Sequence, residues 1–166
     1  EVRVALVDRR HAAGGHWLEA YPFVRLHQSS VFYGVASTVL GGHVQQEGPE
    51  KGLHERASQP EICEYYEHVL DRMVRSGKAE LFGNSEFVDG SVVSHVSGER
   101  MAVRDGCRIV DAHHLSPTIP AETPPPFEVG SDVAVIPVND LVRLEDAPSQ
   151  YVVVGSGKTA TDAIVC

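Results

Sequence analysis

Hydrophobic and polar positions follow three different rhythms along the chain. Val2 to Val7 is an almost unbroken run rich in β-branched residues, closed by Asp8. Such a run predicts a short, fully buried strand of the kind found in parallel sheets. Arg9 to Gly15 reads as a loop, with Gly14-Gly15 allowing a tight backbone path. His16 to Ser37 has no period and is aromatic, with Trp17, Tyr21, Phe23, Phe32 and Tyr33. Gly41 to His54 is polar and glycine-rich, the composition of a surface loop.

The second rhythm is helical and runs from Ser58 to Ser76. Ile62, Tyr65, Tyr66, Val69, Leu70 and Met73 recur at three- and four-residue steps, which makes one apolar stripe. Ser58 and Glu61 have capping-box spacing. Pro60 falls in the first turn, where its missing N–H costs little. Arg72 and Arg75 suit the negative end of the dipole, and Gly77 suits the residue just past the end.

The third rhythm is short and β-like. Leu81-Phe82, Phe87-Val88, Val92 to Val96, Met101 to Val103 and Cys107 to Val110 are separated by Gly83-Asn84, Asp89-Gly90, Ser97-Gly98 and Asp105-Gly106. This predicts an antiparallel meander over about residues 79–110. Five prolines between Pro117 and Pro126 mark a stiff connector and a domain boundary. Ala134 to Val138 reads as an edge strand, because Pro137 lacks a donor. Tyr151 to Val154 reads as a buried strand, with a helix beginning soon after.

Composition narrows the function classes. The chain has 166 residues, 42% hydrophobic, with a formal net charge of -9. That charge argues against broad nucleic-acid binding, which needs a basic face. No apolar run approaches the ~18 residues of a membrane span. Three well-separated cysteines, Cys63, Cys107 and Cys166, suit free thiols in a reducing, cytoplasmic compartment. No CxxC occurs, and His113-His114 would point to opposite faces of a strand, so neither a dithiol nor a metal centre is expected.

The chemistry concentrates in two loops. Gly155-Ser156-Gly157-Lys158-Thr159-Ala160 follows the run Tyr-Val-Val-Val and fits G-x-G-x-x-G/A. Gly155 permits the tight turn, Gly157 lets backbone approach a diphosphate, and Ala160 lets the helix pack close. The free N–H groups and dipole of that helix would attract the phosphates. A P-loop is the rival for Gly157-Lys158-Thr159. It needs a glycine five residues before Gly157, where the chain has Val152. A turn with no ligand is the plainer alternative.

Asp8 is the other candidate. An acid at the end of a second Rossmann strand, ~20 residues after a glycine motif, binds a ribose hydroxyl. Asp8 ends a strand with only seven residues before it. In that role it would put the first strand and its glycine loop outside this chain. Taken alone, Asp8 reads more readily as a simple strand terminus.

The order of landmarks adds a resemblance. Val4-Ala-Leu-Val-Asp8 followed by Gly14-Gly15-His-Trp17 resembles the second strand and GGxW loop of flavin-containing and Baeyer–Villiger-type monooxygenases. Tyr21-Pro-Phe-Val-Arg25-Leu-His27-Gln-Ser29 is similar to the segment that passes near the flavin. Val110 to Pro120 resembles the strand ending the FAD domain, and Gly155 to Ala160 the NAD(P)H motif. The resemblance implies an α/β fold. A partial FAD-binding Rossmann-like domain would occupy residues 1–120. A connector and the start of an NAD(P)-binding domain would occupy 121–166. It implies that Asp8 and Arg9 meet the FAD adenosine, that Gly14, Gly15 and Trp17 line the diphosphate and flavin loop, and that Arg25, His27 and Ser29 lie near the isoalloxazine. Gly155, Ser156, Gly157, Lys158, Thr159 and Ala160 would hold NADPH, with NADH the other possibility. The implied partners are a small-molecule substrate or oxygen.

The sequence departs from that family in places. The first GxGxxG is absent, Asp111-Ala112-His113 stands where the family has Ala-Thr-Gly, and FxGxxxH is not met around Phe127 and Gly130. The expectation is a piece cut at both ends and inactive alone. A decayed, non-catalytic relative and a simple nucleotide-binding module stay open beside the oxidoreductase.

Overall fold

A computed structural model describes residues 2–112, 121 and 123–166. The β-branched run forms strand β1, Val4–Val7, shorter than the sequence predicts. Its partner is β2, Ala79–Phe82, in parallel register from Val4 opposite Ala79 to Val7 opposite Phe82. The connection runs through helix α1, Gln59–Arg75, so these elements form a βαβ crossover, as parallel neighbours require.

Two predictions meet corrections here. The run Leu81-Phe82 is not the first strand of a meander, because its hydrogen-bonding groups are taken by β1. Gly83 fixes that path: a Cβ there would stand 2.8 Å from the His11 carbonyl oxygen. The Asn84 N–H then reaches Arg10 O at 2.9 Å, and the Ser85 N–H reaches Asp8 O at 2.9 Å. Nor is β1 fully buried. Val4 and Leu6 are 42% and 36% exposed, since β2 is the only strand paired with β1 among the described residues.

Helix α1 follows its pattern closely. The Ser58 N–H and hydroxyl donate to the Glu61 carboxylate at 2.7 and 2.6 Å. Gly77, at φ 73, turns the chain out of the helix. The apolar stripe packs into a core of Leu26, Leu40, Ala57 and Ile62, bordered by Trp17, Tyr65 and Tyr66. Ile62 is 1% exposed, and burying such a side chain contributes about 1.5–3 kcal/mol. The irregular aromatic segment supplies the other wall. Leu26 N–H bonds Ala57 O at 2.9 Å, and Tyr65 links Val35 N–H to Thr38 O.

The meander itself has three strands: β3 at Ser85–Val88, β4 at Ser91–Ser94 and β5 at Arg100–Ala102. Asp89 and Gly90 have φ 48 and 72, the double positive that a tight right-twisted hairpin needs. Cys107 to Val110 forms no strand. The Ala134 to Val138 run is not a strand either; Val138–Arg143 coils into a 3₁₀ turn instead. Among the described residues Tyr151 to Val154 has no ladder partner, and Val152 and Val154 are 77% and 70% exposed. A strand is defined by the ladder beside it, and here none lies alongside. Helix α2, Lys158–Val165, begins where the glycine motif predicts. No helix among the described residues is long and apolar enough to cross a membrane. Residues 113–120, which carry His113, His114 and most of the run resembling the end of an FAD domain, lie outside the described residues.

Candidate nucleotide-binding loops

The first loop starts at the carboxyl end of β1, where open α/β sheets bind ligands. Asp8 is half-buried. One of its oxygens accepts the Arg10 N–H at 2.8 Å, which turns the chain and leaves the second carboxylate oxygen for another donor. Arg9 is largely exposed, and its guanidinium reaches Glu86 on β3 at 2.6 Å. Arg10 makes a two-pronged bond to Glu19, at 3.0 and 2.7 Å, across the loop.

Gly14 and Gly15 justify their glycines differently. Both have positive φ, 129 and 55. A Cβ on Gly14 would meet Leu18 at 3.3 Å, whereas one on Gly15 would meet nothing within 4 Å. Gly14 is therefore set by packing, and Gly15 leaves backbone open to solvent. Gly14, Gly15, His16, Trp17 and Tyr66 line an open cavity of about 310 Å³. Trp17 is both a core and a loop residue: its carbonyl accepts the Gln59 side chain at 2.8 Å and its ring borders the core. Cys63 faces the same loop, and burial pushes its thiol upward.

Arg25, His27 and Ser29 lie further along, and the structure does not gather them into a cluster. Arg25 is exposed and donates to Arg56 O at 3.2 Å, in an antiparallel bridge with Ser58. His27 is exposed. The Ser29 hydroxyl is buried without a partner, as is one oxygen of Glu55, while neighbouring Ser30 is fully satisfied by Glu55 O and Ala57 N–H.

The second loop is open. Gly155 has φ 149, and a Cβ on it would press on the Ala160 methyl at 3.3 Å. A small residue at 160 therefore permits the turn, as the motif requires. Gly157 has extended backbone and precedes α2, with nothing within 4 Å of an added Cβ. Ser156 and Thr159 are exposed. A diphosphate thus fits on open backbone at Gly157, at a helix N-terminus, with Lys158 beside it. In the first loop Gly15 opens a 3₁₀ turn, Gly15–Glu19, with space around it.

The two loops meet through contacts the sequence did not flag. The Tyr21 hydroxyl, carried by the aromatic segment after Gly14-Gly15, donates to Asp162 Oδ2 at 2.7 Å. Lys158 donates to the same carboxylate oxygen. Asn139, in the 3₁₀ turn, donates to Glu19 O. Burial, then the Asp162 bond, push the Tyr21 phenol up to about 12, against an opposing contact from Thr159. Asp8, Gly15, Tyr21, Gly155 and Gly157 border one open cleft of about 4410 Å³. That is several times the ~300–1,000 Å³ of a small-molecule pocket, so it is an open gap and not a formed pocket.

The sequence is 40% identical over 162 residues to the uncharacterized protein Rv2000 of Mycobacterium tuberculosis and, equally, to the uncharacterized protein Mb2023 of Mycobacterium bovis. The match covers 96% of this chain and 30% of each relative, so the chain spans less than a third of their length. No family model and no solved structure matches the sequence.

Proposed function

We propose that this chain carries the junction between the two nucleotide-binding units of an FAD- and NAD(P)H-dependent oxidoreductase, monooxygenase-like in its loops. The observation that carries the reading is the shared cleft, which Asp8, Gly15, Gly155 and Gly157 all line. The βαβ crossover, whose first strand leads into Asp8, and the glycine turn opening α2 supply the two Rossmann-like parts.

In this reading Asp8 accepts ribose hydroxyls of FAD through its free oxygen, while its other oxygen fixes the turn. Gly15 and Trp17 flank the diphosphate. Gly157 and Lys158 hold the diphosphate of NADPH, and Ser156 and Thr159 offer hydroxyls beside it. Bound FAD would supply the redox chemistry, accepting hydride from NADPH and passing electrons to oxygen or another acceptor. The protein's part is binding, orientation and exclusion of water. Arg9, next to Asp8, keeps a largely exposed guanidinium paired with Glu86 and would meet the FAD adenosine from there. Free thiols and the net charge of -9 favour a cytoplasmic setting.

Calorimetric titration of the chain with FAD and NADPH separately tests this. Saturable heats for both support two sites. Binding of NADPH alone would favour a single-nucleotide module, which the better-formed glycine turn at α2 makes the second reading.

A further inference from the structure

We infer that Tyr21 is a positioning residue: through Asp162 it sets how freely Lys158 can turn to a phosphate on the Gly155–Ala160 loop. The inference rests on the nucleotide-binding reading of that loop.

Lys158 is the first residue of α2, directly after Gly157. An ammonium there is the natural counter-charge for a phosphate on the helix N-terminus. In this structure it instead faces Asp162, one helical turn along. The two side chains are 28% and 19% exposed, so the pair is better shielded than an ordinary surface ion pair. A phosphate and Asp162 therefore compete for one ammonium. Asp162 Oδ2 has a second donor, the Tyr21 hydroxyl at 2.7 Å. That bond takes up part of the oxygen's acceptor capacity and charge, and so loosens its hold on Lys158.

Tyr21 is well placed to act steadily. It is 8% exposed, its ring lies 4.7 Å from that of Phe23, and its hydroxyl also meets Thr159 of the same loop. It follows the double glycine by only a few residues. One oxygen atom of Asp162 thus joins the segment after the first loop to the cation of the second.

Opposite signs in two variants test the idea. ADP is titrated calorimetrically into the 166-residue chain. Tyr21→Phe keeps the ring but lets Asp162 grip Lys158 harder, so ADP should bind roughly three- to tenfold more weakly, the scale of one ordinary hydrogen bond. Asp162→Asn releases Lys158, so ADP should bind more tightly. In the Asp162→Asn background, Tyr21→Phe should change nothing. Weakening in both single variants would mean a merely structural contact and overturn the inference, with the nucleotide reading intact. An unchanged affinity in Tyr21→Phe would overturn it as well. Absence of ADP binding in every variant would overturn the nucleotide reading of the loop and this inference together.

Discussion

The carboxylate of Asp8 accepts the backbone N–H of Arg10 at 2.8 Å, at the point where β1 ends. One oxygen thereby shapes the turn and the other remains for a ligand. The two roles separate by substitution. Asp8→Asn keeps a side-chain oxygen for Arg10 and should leave the melting temperature almost unchanged while weakening FAD binding. Asp8→Ala should weaken FAD binding and also lose about 1 kcal/mol of stability with the turn bond. Thermal melts beside an FAD titration check both.

The two glycines before α2 should behave differently. Gly155 has a left-handed φ and a methyl 3.3 Å from its missing Cβ, so Gly155→Ala strains the turn and should lower stability by about 1 kcal/mol or more. Gly157 has ordinary extended backbone and open space. Gly157→Val should therefore fold normally and lose NADPH affinity. Equal NADPH binding by Gly157→Val and the parent would mean that no phosphate approaches this backbone.

Glu61 gives the fold an acid-sensitive element. Hydrogen bonds from the Ser58 hydroxyl and N–H hold its carboxyl below the usual value of 4.5. A carboxyl depressed on folding adds stability above its unfolded pKa and loses it as pH falls through the folded one. Melting temperature should therefore fall below about pH 4.5, and Glu61→Gln, which keeps the capping box without the charge, should flatten that fall. The partial exposure of Glu61 keeps the effect small.

Tyr65 should matter more for stability than its position at the edge of the core suggests. Its hydroxyl accepts the Val35 N–H at 2.7 Å and donates to Thr38 O, stapling an irregular segment to α1. Tyr65→Phe leaves both groups without that partner and should cost about 0.5–1.5 kcal/mol, read by denaturant unfolding.

Helix α1 and the two glycine turns were legible because their causes are local. Ser58, Glu61 and Gly77 act within a turn or two, and so do Asp89-Gly90 and Gly155 with Ala160. The β runs were less legible because a strand needs a partner. Leu81-Phe82 has the same pattern whether it pairs with β3 or β1, and Gly83 lying against His11 O decides the matter. Tyr151 to Val154 has a strand's composition and no ladder. Tyr21 and Asp162 sit 141 positions apart, and no spacing links them, so only the fold could bring them together. For Arg9, the acid that occupies it, Glu86, comes from a strand whose position no spacing predicts.

The most direct test of the central claim is a visible absorbance spectrum of the purified chain, incubated with FAD and freed of excess. The account predicts retained flavin bands, diminished in Asp8→Ala. A spectrum without flavin in the parent protein would contradict an FAD site at Asp8 and Gly15 in this chain.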